Sequence, residues 1–393
     1  MTIIPKKTNP TPNKKPLPSS LQLKLDERQS NGSFRKLTIK NPDLVDFSSN
    51  DYLGFASNPE IEKLAASKLK SYKNLKFGAT GSRLLSGNYP LIEDFETYLA
   101  DFYQVEAALM FNSGYDANLG LISAIGQRQD LILFDALCHA SIRDGIALSK
   151  AKSYKFQHDN YENLKEKLEK FQSEFETIYV ITEHVFSMDG DQTDLKKITE
   201  ICDEFNAYLI LDEAHAIGTI SKTNRENSHF NIFARVLTFG KSLGSHGAVV
   251  LGALELKDFM INFAKSFIYT TALSSQNTAH NWAAHIFLEN QNDDFETLQN
   301  NILFFKEIVI KLKLQNYFIE SDSAIQSCVI GGNVKVKNIS NQLEMKAFDV
   351  RAILSPTVPK GEERLRFCLH SYNSKTEIES VLEILSKLIS EIQ

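Results

Sequence analysis

Between about Glu106 and Gly252, short apolar runs alternate with amphipathic stretches. The runs are Ala107 to Phe111, Leu131 to Phe134, Thr177 to Glu183, Tyr208 to Asp212, Val236 to Phe239 and Ala248 to Leu254. Apolar runs this short and this continuous predict strands buried on both faces. The stretches from Gly114 to about Ile125, Ser141 to Ser149, and about Asp194 to Phe205 read as helices. Strand and helix in alternation predict a mostly parallel α/β sheet covered on both sides.

After about Ser275 the pattern changes. Helical periodicity covers about Asn277 to Lys313, and short strand-like runs follow at Ala324 to Ile330 and Leu365 to Cys368. A terminal helix is expected from about Lys375 to Glu391. The expected organisation is an N-terminal leader and arm over residues 1–46, a large domain over 47–275, and a smaller α+β domain over 276–393.

Ligands in open α/β sheets bind beyond the carboxyl ends of the strands. Gly114, His139, Ser187, Asp212, His215 and Lys241 all fall at or just past such ends. The run Tyr208 to Asp212 delivers Asp212 and, three residues on, His215; the next delivers Thr238 and Lys241. An amine, a carboxylate and an imidazole are what pyridoxal phosphate chemistry asks of a protein. The amine forms a Schiff base, and the carboxylate keeps the pyridine nitrogen protonated.

Other readings of these residues exist. Asp212 could cap the following segment. Gly240-Lys241-Ser242 resembles the end of a phosphate-binding P-loop, but Arg235 stands where that loop needs its first glycine. Asp212 and His215 could ligate zinc, yet no His-Glu-x-x-His and no paired cysteines complete a shell.

Composition narrows the classes. The 393 residues suffice for two domains, and no apolar run approaches the roughly 20 residues of a spanning helix. A net charge of -6 gives no electrostatic case for nucleic acid. The first 20 residues are rich in Lys, Pro, Thr and Asn without an apolar middle, so a disordered leader is expected rather than a secretory signal. Cys138, Cys202, Cys328 and Cys368 are widely spaced, which fits reduced thiols in a cytoplasmic protein.

Several segments carry a resemblance. They are Phe47-Ser-Ser-Asn-Asp-Tyr-Leu-Gly54, Gly78-Ala-Thr-Gly-Ser-Arg-Leu-Leu-Ser-Gly-Asn88, Phe111-Asn-Ser-Gly-Tyr-Asp-Ala-Asn118 and His139-Ala-Ser. Val185-Phe-Ser-Met-Asp-Gly190, Thr238-Phe-Gly-Lys-Ser-Leu-Gly244, Asp322-Ser-Ala-Ile-Gln326, Pro356-Thr-Val-Pro359 and Arg364-Leu-Arg366 follow in order. From Phe47 to the C-terminus the chain resembles the α-oxoamine synthases, pyridoxal phosphate enzymes of fold type I. The resemblance implies a seven-stranded, mostly parallel sheet in the large domain. It also implies an acyltransferase that joins an amino acid to an acyl-thioester with loss of carbon dioxide. Within the family the Gly78 to Asn88 and Asp322 to Gln326 segments look like the branch serving biotin biosynthesis. That branch takes L-alanine and a pimeloyl group carried on coenzyme A or a carrier protein. Branches using glycine with acetyl-CoA, branches using serine with palmitoyl-CoA, and the branch that makes 5-aminolevulinate stay open.

Position by position, the resemblance assigns Lys241 to the cofactor, Asp212 to its ring nitrogen, and His215 and Ser187 to its phenolic oxygen. His139 stacks on the ring; Gly114, Tyr115 and Thr238 bind the phosphate. Thr271 reaches the phosphate of a neighbouring subunit's cofactor, which implies a homodimer. Asn50 lies near the amino acid, and Arg366, with Arg364 as the alternative, binds its carboxylate. Arg28 and Thr357 belong to the acyl side. The chain departs from the family pattern at Ala216-Ile217-Gly218, at Ser242 to Gly247, at Leu369 to Tyr372 and at Leu354. These changes bear on the acyl-thioester more than on the cofactor.

Overall fold

The computed structural model describes residues 15–290 and 293–391. A seven-stranded sheet holds the strands in the order Ala107–Phe111, Ala248–Gly252, Ala234–Thr238, Tyr208–Asp212, Thr177–Glu183, Asp130–Asp135, Lys152–Phe156. The Ala248–Gly252 strand is antiparallel to both neighbours, and every other pairing is parallel.

Alternate residues of each strand supply opposite cores. Leu131, Leu133, Val180 and Leu209 pack under the helices of one face. Ile132, Ile181 and Ile210 pack under those of the other, with Leu121 and Ile122 of the Gly114–Ile125 helix. A strand buried on both faces must be apolar at every position, which is why these runs are continuous in sequence.

Two elements of this layer carry no such signal. The Lys152–Phe156 strand lies at the sheet edge and is largely exposed, so its sequence Lys-Ser-Tyr-Lys-Phe is mostly polar. Lysines on an edge strand also discourage pairing with another chain. The Tyr161–Phe171 helix follows it and buries only Leu164, Leu168 and Phe171.

The C-terminal part holds a three-stranded antiparallel sheet with Arg364–Cys368 between Arg351–Ile353 and Ile325–Val329. The helices Ser275–Asn290, Asp293–Lys311, Asn333–Met345 and Lys375–Glu391 surround it. The Asn333–Met345 helix and the Arg351–Ile353 strand carry little apolar pattern, since the helix buries three residues and the strand spans three.

Residues just before the Asn50 segment join this sheet's neighbourhood. Val45–Asp46 pairs in parallel with Phe348–Asp349, Cys368 N–H donates to the Phe47 carbonyl at 2.9 Å, and Ser371 N–H to the Tyr52 carbonyl at 2.8 Å. The same segment runs against the loop after Lys241. Gly244 has φ +59°, and a Cβ there would fall inside the backbone of Phe55 and Ala56. Glycine is therefore required where the two segments touch.

Residues 1–14 of the expected leader lie outside the described residues; an exposed helix, Ser19–Ser30, falls within the expected arm. All four cysteines are buried free thiols. No helix among the described residues is long and apolar enough to cross a membrane.

Candidate active site

A cleft of about 570 Å³ opens beyond the carboxyl ends of the parallel strands. Its walls include eight of the residues singled out from sequence: Gly114, Tyr115, His139, Ser187, Asp212, His215, Thr238 and Lys241. Each comes from a strand end or from the turn or helix start that follows it, because the sheet delivers these termini to the same edge.

Asp212 ends its strand and is 5% exposed. Its Oδ2 accepts from Asn118 Nδ2 at 2.7 Å and its Oδ1 from the Ala214 N–H at 2.9 Å. The next residue, Glu213, faces away and pairs with buried Arg235 at 2.8 Å. Thus only the first of two adjacent acids serves the cleft.

Lys241 lies in the turn after the Ala234–Thr238 strand. Burial pushes its ammonium down to about 8, against the pull of the Asp212 and Glu183 carboxylates. A lysine that gives up its proton near 8 rather than 10.5 is a more available nucleophile and base than an ordinary one.

His215 is 4% exposed, and burial, with Lys241, Arg366 and His139 nearby, holds its imidazolium well below the usual range. It faces the cleft as a neutral ring. His139 stands at the mouth of the cleft, its Nδ1 2.9 Å from Ser141 Oγ. Ser141 in turn accepts from Asn118 Nδ2 at 3.0 Å, so His139 and Asp212 share one network.

The Gly114–Ile125 helix begins at the cleft and is capped by Ser113, whose Oγ accepts from the Asp116 N–H at 3.1 Å. A Cβ on Gly114 would come within 3.5 Å of Thr238 Cβ, so the helix start and the Thr238 hydroxyl stand close together. Free N–H groups and the positive end of the helix dipole suit an anion such as a phosphate.

The two arginines take different places. Arg364 is 3% exposed and makes a close ion pair with Asp189. Arg366 instead donates to the Ser187 carbonyl at 3.0 Å and to Asn50 Oδ1 at 2.5 Å, at the edge of the cleft. Thr271 is exposed and lies outside its own chain's cleft; its carbonyl accepts from Asn112 Nδ2 at 2.8 Å. Arg28 and Thr357 line a second cleft of about 640 Å³ that shares no lining residue with the first. Arg35 and Lys337 add positive charge there, and Arg35 donates to Thr357 Oγ1 at 3.1 Å.

Glu183, Asn118 and Ser141 also line the cleft, and Tyr52 touches His215, although the sequence pattern does not single them out. Glu183 had a signal, since it ends an apolar run as Asp212 does. Asn118, Ser141 and Tyr52 had none of that kind.

The cleft fits pyridoxal phosphate on its own chemistry: an amine with lowered proton affinity, a carboxylate held by two N–H donors, and a helix start beside a threonine hydroxyl. A lysine and its acid gathered at one edge of such a sheet define a pyridoxal phosphate-dependent transferase of fold type I. The chain belongs to the aminotransferase class I and II family, whose model matches residues 42–385.

Its relatives place it with the α-oxoamine synthases. The 8-amino-7-oxononanoate synthase of Emericella nidulans is 34% identical, aligned over 96% of this chain and 97% of its own length. A putative 8-amino-7-oxononanoate synthase of Rippkaea orientalis is 37% identical over 90% of this chain and 92% of its own. The crystal structure of the 8-amino-7-oxononanoate synthase from Francisella tularensis matches with a TM-score of 0.74 at 30% identity, over 90% of this chain and 99% of that one. Serine palmitoyltransferase from S. paucimobilis matches with a TM-score of 0.84 at 23% identity, over 95% of this chain and 97% of that one, a likeness of fold alone.

Proposed function

We propose that the protein condenses L-alanine with a pimeloyl thioester, on coenzyme A or a carrier protein, to 8-amino-7-oxononanoate and carbon dioxide in biotin biosynthesis. The observation that carries this reading is the meeting of Lys241, Asp212 and His215 in one cleft with Asn50 and Arg366 at its edge. The names and identities of the relatives support the choice of substrates.

Bound pyridoxal phosphate supplies an electron sink for negative charge at the amino acid α-carbon. Lys241 would hold the cofactor, and its amine, when free, would take the α-proton of alanine on Nζ. Asp212 would hold a proton on the ring nitrogen by its charge. His215 and Ser187 would serve the phenolic oxygen, and His139 would cover the ring. The N–H groups of Gly114 and Tyr115, with the Thr238 hydroxyl, hold the phosphate. Arg366 and Asn50 orient the alanine carboxylate, since a guanidinium offers two parallel donors. The α-carbon would then bond to the acyl carbonyl as the C–S bond breaks, the thiolate leaving with the proton that Lys241 had taken; the carboxylate would depart as carbon dioxide, and the electron pair left on the α-carbon would take a proton from solvent by way of Lys241.

Arg28 and Thr357 serve the acyl donor in this reading, and Arg364 stays with Asp189. Thr271 serves a neighbouring subunit's phosphate in a homodimer. The reading also places the enzyme in the cytoplasm. We further propose that residues 47–275 form the cofactor domain and 276–393 the smaller one, with 1–46 as leader and arm.

The test is an assay of alanine, glycine and serine against acetyl-, pimeloyl- and palmitoyl-CoA. Alanine with pimeloyl-CoA should turn over fastest. Faster turnover of glycine with acetyl-CoA, or serine with palmitoyl-CoA, overturns the substrate assignment and leaves the cofactor assignment standing.

A further inference from the structure

A neutral imidazole carries one proton, on Nδ1 or on Nε2. Which nitrogen carries it decides whether His215 offers the cleft a donor or an acceptor. His215 Nδ1 lies 2.8 Å from the Tyr52 hydroxyl, which leaves Nε2 as the nitrogen available to the cleft.

Tyr52 is fully buried, and burial raises its phenol well above the usual range, so it keeps its proton. Its hydroxyl has a second acceptor within reach, Asn50 Oδ1 at 3.1 Å. Arg366 Nη2 donates to that same oxygen at 2.5 Å. Turning the Asn50 amide over would set its NH₂ against the guanidinium, so Arg366 fixes the oxygen toward Tyr52.

The phenol thus has one proton and two acceptors. If the proton goes to Asn50, His215 must donate from Nδ1 and presents a bare Nε2. If it goes to His215 Nδ1, Nε2 carries the ring proton and the cleft gains a donor. The second arrangement costs Asn50 no pairing, because it keeps Arg366 as its donor, and the two arrangements differ in which nitrogen form they show to the cleft.

We propose that Tyr52 is a positioning residue that sets the tautomer of His215, donating to Nδ1 so that Nε2–H points into the cofactor cleft. The proposal rests on the pyridoxal phosphate reading above. A negatively charged phenolic oxygen attracts a donor and repels a bare nitrogen. The charged and titratable groups around the pair are Lys241, Arg366 and His139 about His215, and Arg366 and Cys368 about Tyr52. The His370 ring lies over Tyr52 at 6.4 Å.

The experiment titrates the visible absorbance of the purified holoenzyme with pH. A donor at the phenolic oxygen favours loss of the proton that this oxygen shares with the Lys241 nitrogen. Tyr52→Phe should therefore raise the midpoint by roughly one unit, the scale of one hydrogen bond to a charged group. His215→Ala should raise it comparably, and the double variant should move no further than His215→Ala alone. An unmoved midpoint in Tyr52→Phe, or additive shifts, overturns the proposal, since a merely structural tyrosine would lower stability without touching the midpoint. A wild-type protein that binds no cofactor overturns the reading beneath it instead. If Tyr52→Phe does not retain cofactor, imidazole ¹⁵N NMR of the wild-type holoenzyme decides: a protonated Nε2 with bare Nδ1 is expected, and a protonated Nδ1 overturns the proposal.

Discussion

Glu183 and Asp212 stand side by side, in register, at the carboxyl ends of neighbouring parallel strands. The two acids share one cleft under different conditions. Asp212 is held by two N–H donors, from Asn118 and Ala214, and Glu183 by one, the His139 N–H at 2.5 Å. Burial, with the Asp212 charge adding to it, raises the Glu183 carboxyl to about 8.

That shift has a sign. The folded protein keeps the Glu183 proton up to about 8, while the unfolded chain loses it near 4.5. Between those values the folded state holds the extra proton, so stability falls as pH rises through the window. Glu183→Gln removes this loss. In thermal unfolding of the cofactor-free protein, the variant should gain on the wild type steadily from pH 4.5 to about 8. A difference independent of pH would mean that Glu183 ionises normally in the fold.

Lys241 should carry the cofactor, and the uptake should titrate. Its amine is neutral above about 8, and only the neutral amine attacks a carbonyl. The rate of cofactor uptake by the cofactor-free protein should climb through that pH. Borohydride treatment followed by peptide mapping should place the label on Lys241, and a label on another lysine would sink the assignment.

Asp212→Asn preserves shape and removes charge. The variant should still bind cofactor, because the phosphate contacts and Lys241 are untouched. Its turnover should fall by about 10²–10³, the usual cost of losing one electrostatic stabiliser. Equilibrium binding and steady-state turnover measured on the same preparation separate the two effects. Turnover close to that of the wild type would mean that another acid does this work, and Glu183 is the neighbour to test.

Arg366 and Arg364 should fail in different ways. Arg366→Ala should weaken alanine binding by about 1.5–3 kcal/mol, the worth of a charge-assisted hydrogen bond, and disturb the acyl donor far less. Arg364→Ala leaves Asp189 without its partner in a buried place, which costs about 3–5 kcal/mol of stability. Alanine titration and chemical denaturation of both variants should show opposite patterns. The same pattern in both would mean that the two arginines act as one unit.

Some of this was readable along the chain. Strands buried on both faces must be apolar throughout, so Leu131, Ile132 and Leu133 mark their strand although they face different cores. The edge strand Lys152–Phe156 escaped because an exposed edge does not select apolar residues. Asp212, His215 and Lys241 were readable because a parallel sheet sends its carboxyl ends to one side, and position along the chain then implies position in space.

Choices between near neighbours were made only by the tertiary structure. Asp212 and Glu213 are adjacent acids, yet one faces the cleft and the other faces Arg235. Arg364 and Arg366 share a strand, but Asp189 claims the first and Asn50 the second. Tyr52 meets His215 across 163 positions of sequence. Periodicity reports which face of an element is buried, because burial acts on every residue of that face alike. It does not report which partner a polar group finds, because that depends on the packing of segments far apart in the chain.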